Sequence, residues 1–411
     1  MGGGSIDGEV TRGVVYRLNS VHKEAMGIYG EYLNQPLASD FGLLTAERKR
    51  QLERISRLRG GRDVLVFAAD VNKENAPISI GYVDVLPVSD QLSNLRGTAL
   101  DLILETPGGS GEAAEDIVRI LRGRYSDLAV VVPGWAKSAG TIMAMAGDEI
   151  LMGPSSALGP IDAQLVWQGK RFSAEALLKG MEKIKDEVKQ SGILNKAYIP
   201  MLQGISPGEL QSAQNALDFA TDLVTKWLAQ YKFKNWRQHS STGRPVTEDE
   251  KRVRAHEIAA QLCDHQRWLT HGRSIKLDDL KAMRVLFRDY STEPELCDAI
   301  SRYYALLQMT FAGNLYKLYE TTGSQIYKFS MPPVPPPQPR VSPDIAELGI
   351  ECSKCQSRFR VQANLGRKQP LQPGCIPFPA DNKLKCPACG VEHDLSDARR
   401  QLEAQAKKRV V

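Results

Sequence analysis

Between residues 62 and 152 the apolar positions arrive in short blocks, RDVLVFAADV, LDLILET, LAVVV and EILM, separated by amphipathic or small-residue stretches of roughly ten residues. Unbroken apolar runs of this length belong to strands covered on both faces, and helices between them make strand-helix-strand crossovers. The pattern predicts strands over 100–106, 128–132 and 149–152 and helices over 112–122 and 139–146, in a mostly parallel sheet of an α/β fold. Strands or strand edges are expected at 62–71 and 77–83. Upstream, 14–58 reads as helical, with Leu52, Ile55 and Leu58 on one side of its last helix and many arginines on the other.

Downstream the chain reads almost wholly helical. A helix over 173–190 carries an apolar stripe of Leu177, Leu178, Met181, Ile184 and Val188. Ser206-Pro207-Gly208-Glu209 opens a second helix to about 231, and a capping box at Thr247 opens a third to about 268. Two more are expected at 277–287 and 294–310.

Ligands of parallel sheets sit where strands end and helices begin. Two loops there allow close approach. In Pro107-Gly108-Gly109 the missing Cβ atoms let backbone N–H groups reach a substrate. In Lys137-Ser138-Ala139-Gly140, Ser138 stands at the first turn of a helix, where unpaired N–H groups favour an alkoxide and an oxyanion. Two rival readings use the same residues. Gly109-Ser110-Gly111 with Ala114 fits a loose dinucleotide fingerprint, but the next strand, 128–135, lacks the acidic residue that would hold a ribose. Alternatively Ser138 merely caps its helix and the glycines make tight turns.

These residues resemble the Clp protease and crotonase superfamily, and within it the signal peptide peptidase A and serine dehydrogenase proteinase group. The likeness rests on Pro107-Gly108-Gly109, Lys137-Ser138-Ala139-Gly140-Thr141, Asp148-Glu149-Ile150 and Leu158-Gly159-Pro160-Ile161-Asp162, and continues to about Lys328. It implies a Clp/crotonase-like parallel sheet with a helical extension, a serine acylated at Ser138, and an oxyanion hole from Gly108, Gly109 and Ala139. It also implies peptide or protein substrates and a homo-oligomer. A crotonase-type acyl-CoA enzyme is disfavoured, because such enzymes need no serine nucleophile.

A serine needs a base. The resemblance to Clp subunits calls for a histidine about 25 residues after the serine, yet 157–164 contains none and the next one downstream is His239. This points to a serine-lysine dyad, as in the signal peptide peptidase A group. A lysine base must be desolvated. Lys185 borders the apolar stripe and is the chosen base; Lys183 and Lys189 lie farther round, and Lys196 follows the helix. Asp162 is a further candidate for orienting a base, and Lys137 either binds a substrate carboxylate or points to water. His256, His265 and His271 lack metal-ligand spacing and read as packed or helix-terminal residues.

Composition adds little until the C-terminus. The chain has 411 residues, room for two or three domains, and its net charge of +5, from 53 basic and 48 acidic residues, is too balanced to imply nucleic acid. No apolar run reaches the roughly 18 residues of a membrane span, and the first residues lack the apolar core of a secretory signal, so a cytoplasmic location is expected. Seven prolines in 331–343 predict an extended linker. After it, Cys352-Ser-Lys-Cys355 and Cys386-Pro-Ala-Cys389 carry the spacing of two metal knuckles, for which a structural Zn²⁺ is expected. The tail resembles a zinc ribbon, with an inserted loop near 369–379 and Cys375 and His393 as spare donors. With twelve Lys or Arg against eight Asp or Glu from Asp344 onward, a protein partner is favoured over nucleic acid.

The expected layout is an N-terminal helical region (1–60), a Clp/crotonase-like domain with helical extension (61–330), a proline-rich linker (331–345) and a zinc ribbon (346–411). The expected activity is that of a serine peptidase. The rival is a catalytically silent oligomeric scaffold whose ribbon is a binding module.

Overall fold

In the computed structural model, which describes residues 27–330 and 344–411 apart from Gln168 and Ser240, the apolar blocks become the centre of a seven-stranded sheet. Strands β1 (Asp63–Ala69), β2 (Ala99–Glu105) and β3 (Asp127–Val132) pair in parallel. The short β4 (Trp135–Ala136) leaves the sheet, and β5 (Glu149–Met152) returns to it parallel to β3. Two small pairs lie outside it, β6 (Ala157–Leu158) with β4 and β7 (Gln164–Trp167) with β8 (Lys170–Ser173). Finally β9 (Arg288–Asp289) joins β5 in parallel, and the hairpin β10 (Leu315–Thr321) and β11 (Gln325–Phe329) closes the other edge, with β10 antiparallel to β1. The order is β11-β10-β1-β2-β3-β5-β9.

Period-two alternation loads both faces. Leu65 and Phe67, Leu102 and Leu104, and Val130 and Val132 face a core shared with the helices Gly111–Arg124, Ala139–Met145, Pro207–Trp227 and Glu248–Cys263. Val64 and Val66, Ile103, and Val131 face the helices Phe41–Leu58 and Pro294–Phe311. Every residue of Ala139–Met145 is buried, Ile142, Met143 and Met145 included.

Four readings of the sequence need correction. The hairpin at 315–329 was not anticipated; its alternation is short, and Thr321 Oγ1, by accepting from the N–H groups of Gly323 and Ser324, makes the turn that Thr322-Gly323 allows. Residues 77–83 form no strand: only Ile80 pairs, with Gly109, before a short 3₁₀ turn. Arg48 is not on the solvent side of its helix. It lies one turn before Leu52 on the buried stripe, where Glu320, Thr310 and Tyr327 satisfy its guanidinium. Lastly, the helix expected to reach 268 ends at Cys263, because Asp264 turns the chain and caps a new turn at Gln266 and Arg267. Residues 14–26 of the expected N-terminal helix and the proline linker at 331–343 lie outside the described residues.

The chain divides after Ser330 into two units, the second of which is described from Asp344 onward. There β12 (Ile345–Glu351) and β13 (Arg358–Asn364) pair antiparallel, β14 (Cys375–Pro377) lies parallel to β13, and β15 (Lys383–Lys385) and β16 (Glu392–Asp394) form a hairpin before the helix Ser396–Ala406. The expected inserted loop contains β14.

Candidate active site

The end of β2 delivers the chain to Gly108 and Gly109, at φ 98° and 151°, conformations that disfavour a side chain. Contacts forbid one as well. A Cβ on Gly109 would lie 2.3 Å from the Ile80 carbonyl oxygen, and one on Gly108 would lie 2.6 Å from Lys137 O and 2.7 Å from Ser138 Cβ. Ile80 N donates to Gly108 O (2.7 Å) and Ser110 N donates to Ile80 O (2.9 Å). Pairing on that side turns the Gly109 N–H the other way, and it meets no acceptor among the described residues. Behind Ile80, the buried Lys317 ammonium donates to Ser79 O (2.7 Å) and to Asp84 Oδ1 (2.8 Å), and Asp84 accepts from Gly81 N (2.8 Å). The glycine turn is thus braced through three layers.

Ser138 opens the helix Ala139–Met145 with φ 49° and ψ −117°, a backbone conformation sparsely populated by L-residues. Its side chain caps nothing and has no hydrogen-bond partner among the described residues, so the helix-cap reading fails. The half-buried hydroxyl is left for another use. Thr141 Oγ1 locks the turn by donating to Ala136 O (2.7 Å) and accepting from Gly159 N (2.9 Å).

Lys137 does not reach water freely, as one reading had it. Its ammonium donates to Gly272 O (3.0 Å) and Ser274 Oγ (2.9 Å), and burial, helped by the charge of Lys276, pushes its pKa down to about 8. Lys185 is exposed on the helix Ala174–Ser191, as are Lys183, Lys189 and Lys196. The stripe that was expected to desolvate Lys185 is itself only half-buried, so the premise for choosing it is unmet in this chain by itself.

Asp162, fully buried in its side chain, accepts from His271 Nδ1 at Oδ1 (2.7 Å) and from His265 Nδ1 at Oδ2 (2.9 Å), with Gln164 Nε2 also on Oδ2 (2.8 Å). The sequence pattern treats both histidines as packed or helix-terminal. Sequence separation of more than 100 residues hid the pairing; the only signal was an acid directly after Gly159-Pro160-Ile161.

Glu105 was also missed, within an otherwise apolar strand. It is buried beneath the nucleophile turn, accepting from Trp135 N (2.8 Å), from Gly134 N and from the Tyr304 hydroxyl (3.3 Å). Burial pushes its pKa up to about 8 despite those donors. A carboxyl raised in the fold stabilises it fully below pH 4.5, and this contribution is lost as pH climbs to about 8, at about 1.4 kcal/mol per pH unit between the two values. Glu105→Gln, neutral throughout, is expected to remove that slope. Thermal melts at pH 6 and pH 9 should show the variant gaining on the wild type as pH rises; parallel shifts would show that Glu105 ionises as easily folded as unfolded.

In the second unit, Cys352, Cys355, Cys386 and Cys389 place their sulfurs within 4.8 Å of one another. Each pair sits on a matching knuckle: Gln356 N donates to Cys352 O, Gly390 N to Cys386 O, and both donors have positive φ. Cys375 lies on β14 outside the cluster.

Residues 82–202 match the family of ClpP-like SDH-type serine proteinases. That segment contains Gly108, Gly109, Ser138, Ala139, Asp162 and Lys185, and stops before His265 and His271. Two uncharacterised proteins of Methanocaldococcus jannaschii are similar to this chain. One is 31% identical over 150 residues, 34% of this chain and 50% of its own; the other is 39% identical over 83 residues, 20% and 28%. The chain therefore spans half or less of these relatives. A solved mutant of the membrane-bound stomatin-specific protease 1510-N aligns over 35% of this chain and 80% of its own, at 20% identity and a TM-score of 0.21. Among the described residues no helix is long and apolar enough to cross a membrane.

Proposed function

We propose that this chain is a serine peptidase acting on peptides or proteins, with Ser138 as nucleophile and the N–H groups of Gly109 and Ala139 as the oxyanion hole beside Gly108. The observation that carries the reading is the Ser138 turn: an unpartnered hydroxyl, at φ 49°, on the buried helix N-terminus against which Gly108 packs. The match of 82–202 to a serine proteinase family supports it. Donors at a helix start, already oriented and partly screened from water, stabilise a developing oxyanion without reorganising. A serine-lysine dyad through Lys185 would need a second body, such as a neighbouring copy in a homo-oligomer, to bury that ammonium.

The four cysteines fit a structural Zn²⁺. Cys352 Sγ and Cys389 Sγ are 3.6 Å apart and Cys355 Sγ and Cys386 Sγ 3.7 Å. A tetrahedron with Zn–S bonds of about 2.3 Å has edges of about 3.8 Å. Disulfides, at about 2.05 Å, do not match. On this reading the C-terminal unit is a zinc ribbon that recruits a protein partner or substrate, in a cytoplasmic enzyme.

Treatment of the full chain with a fluorophosphonate, followed by peptide mass mapping, tests the activity. The expected adduct is on Ser138. A folded chain that takes no label would favour the silent scaffold.

A further inference from the structure

We propose that a cavity at the opposite ends of the strands from Ser138 binds a small organic anion, a phosphate or carboxylate joined to a planar ring. The inference goes beyond the peptidase reading and holds whether or not Ser138 is a nucleophile. The cavity has a volume of about 350 Å³ and is lined by Lys232, Phe233, Trp236, Arg254, Arg284 and Leu286, with no acidic residue in its wall. That volume lies at the lower end of what small-molecule sites enclose.

Three stretches of the first unit build it. The helix Pro207–Trp227 runs on into a wider π turn, Leu228–Lys232, closed by Phe233 N donating to Leu228 O (2.9 Å). Arg254 comes from the helix Glu248–Cys263, and Arg284 and Leu286 follow the helix Leu277–Ala282 before β9. The carboxylates whose charges act on Lys232 are Glu149 and Asp148, at the start of β5. This places the cavity at the N-terminal ends of the strands, whereas the Ser138 turn follows their C-terminal ends.

Lys232 carries the argument. It keeps only 9% of its surface accessible, and its ammonium has no hydrogen-bond partner among the described residues. The carboxylates near it are engaged elsewhere: Asp148 with Arg122 (2.7 Å), Lys234 (2.6 Å) and the N–H of Leu128 (2.8 Å), and Glu149 with Arg59 (2.8 Å). Burial outweighs their attraction and pushes the Lys232 pKa down to about 8. An ammonium buried without a partner lowers stability, and an anion in the cavity supplies that partner.

The other lining residues sort the anion. The Arg254 guanidinium is fixed at the wall by donating to Glu257 Oε2 (2.6 Å) and to Met283 O (2.5 Å), while the exposed Arg284 has no hydrogen bond or ion pair among the described residues. Guanidinium groups meet the paired oxygens of phosphates and carboxylates alike. Phe233 and Trp236 stand edge to face, with ring centroids 5.7 Å apart, and the Trp236 indole N–H has no acceptor among the described residues. A flat apolar wall beside fixed cations suits a planar ring that carries its charge at one end.

Isothermal titration calorimetry on the full chain, at fixed ionic strength, tests the site with adenosine monophosphate, benzoate, adenosine and inorganic phosphate as probes. Adenosine monophosphate or benzoate is expected to bind at least about tenfold more tightly than adenosine or inorganic phosphate; the first would mark a phosphate ligand and the second a carboxylate. Lys232→Met and Arg284→Ala should each weaken that binding at least about tenfold. Arg252→Ala, exposed on the same helix as Arg254 but outside the cavity, should change it less than about twofold. Without any anion, Lys232→Met should melt no lower than the wild type, which separates a lost site from a damaged fold; Arg284, being exposed, gives a second variant that leaves the core untouched. Failure of every probe to bind overturns the proposal. So does equal weakening by Arg252→Ala, which would mark diffuse charge attraction, and so does inorganic phosphate binding as tightly as the ring-bearing anions.

Discussion

Replacing Ser138 by glycine is expected to abolish hydrolysis and, in the same molecule, to raise the melting temperature. The first effect follows from chemistry: with no hydroxyl there is no acyl-enzyme, and kcat/KM should fall by roughly 10⁴–10⁶, as when a serine nucleophile is removed elsewhere. The second follows from the backbone. At φ 49° and ψ −117° a side chain is strained, at a cost of roughly 1–3 kcal/mol, whereas glycine adopts such angles freely. Glycine's looser unfolded state takes back about 0.5–1 kcal/mol, leaving a net gain of about 1 kcal/mol. Ser138→Ala is the control. It removes the same hydroxyl but keeps the Cβ and therefore the strain, so it should be as inactive as glycine and no more stable than the wild type. Equal melting temperatures for the two variants would show that the turn stores no strain, and residual turnover in both would remove Ser138 from the mechanism.

The strained conformation at this position is held by close packing and hydrogen bonds around it. Thr141, Gly108, Gly140 and the Ile80 pairing converge on a turn of four residues. A Cβ on Gly140 would lie 2.4 Å from Thr106 Cγ2, so even the second residue of the helix has no room to relax. Pre-organisation of this kind is what a weak nucleophile needs, since the bonds that hold the turn are made on folding and not during the reaction.

The α/β core was legible because its signal is local. Strands β2, β3 and β5 are short apolar runs with their crossover helices between them, and 100–106 and 128–132 fall within a residue of the observed bounds. The loops that carry Ser138 and the two glycines were legible for the same reason, each falling at a strand-helix junction. Neither the exposure of Lys185 nor the polar cluster at Asp162 was. Lys185 was chosen from helical periodicity, which identifies the face of a helix but not whether that face is covered; here it is half open. Asp162 with His265 and His271 depends on Asp264 breaking a helix that its capping box and composition would have continued. Such a break is decided by tertiary packing, where Ile161 N donates to Leu262 O just before it. Arg48 shows the converse: its spacing with Leu52 and Ile55 was readable, but its charge argued for solvent until Glu320 supplied a buried partner.

Removing the metal proposed for the four cysteines is expected to unfold the C-terminal unit while leaving Ser138 in the first unit able to label. The unit spans 68 described residues, and its apolar core is slight: Val361, Leu384 and Leu395 form one cluster and Ala363, Leu365 and Val410 another. Cores of that size supply no more than about 3–5 kcal/mol. A tetrathiolate Zn²⁺ contributes on the order of 10–16 kcal/mol of coupled binding and folding, more than the remainder can replace. Each knuckle also buries one cysteine, Cys352 in the first and Cys386 in the second, whose sulfur the metal would hold. The full chain as purified should carry one zinc, with the four cysteines slow to react with a thiol reagent. After a strong chelator all four should react, trypsin should digest the region beyond Asp344, and fluorophosphonate labelling of Ser138 should persist. Cys386→Ser should mimic the chelator without it. A metal-free chain whose C-terminal unit still resists trypsin would show that β12 to β16 and the terminal helix stand on packing alone, and that the cysteines serve some other purpose than holding the fold.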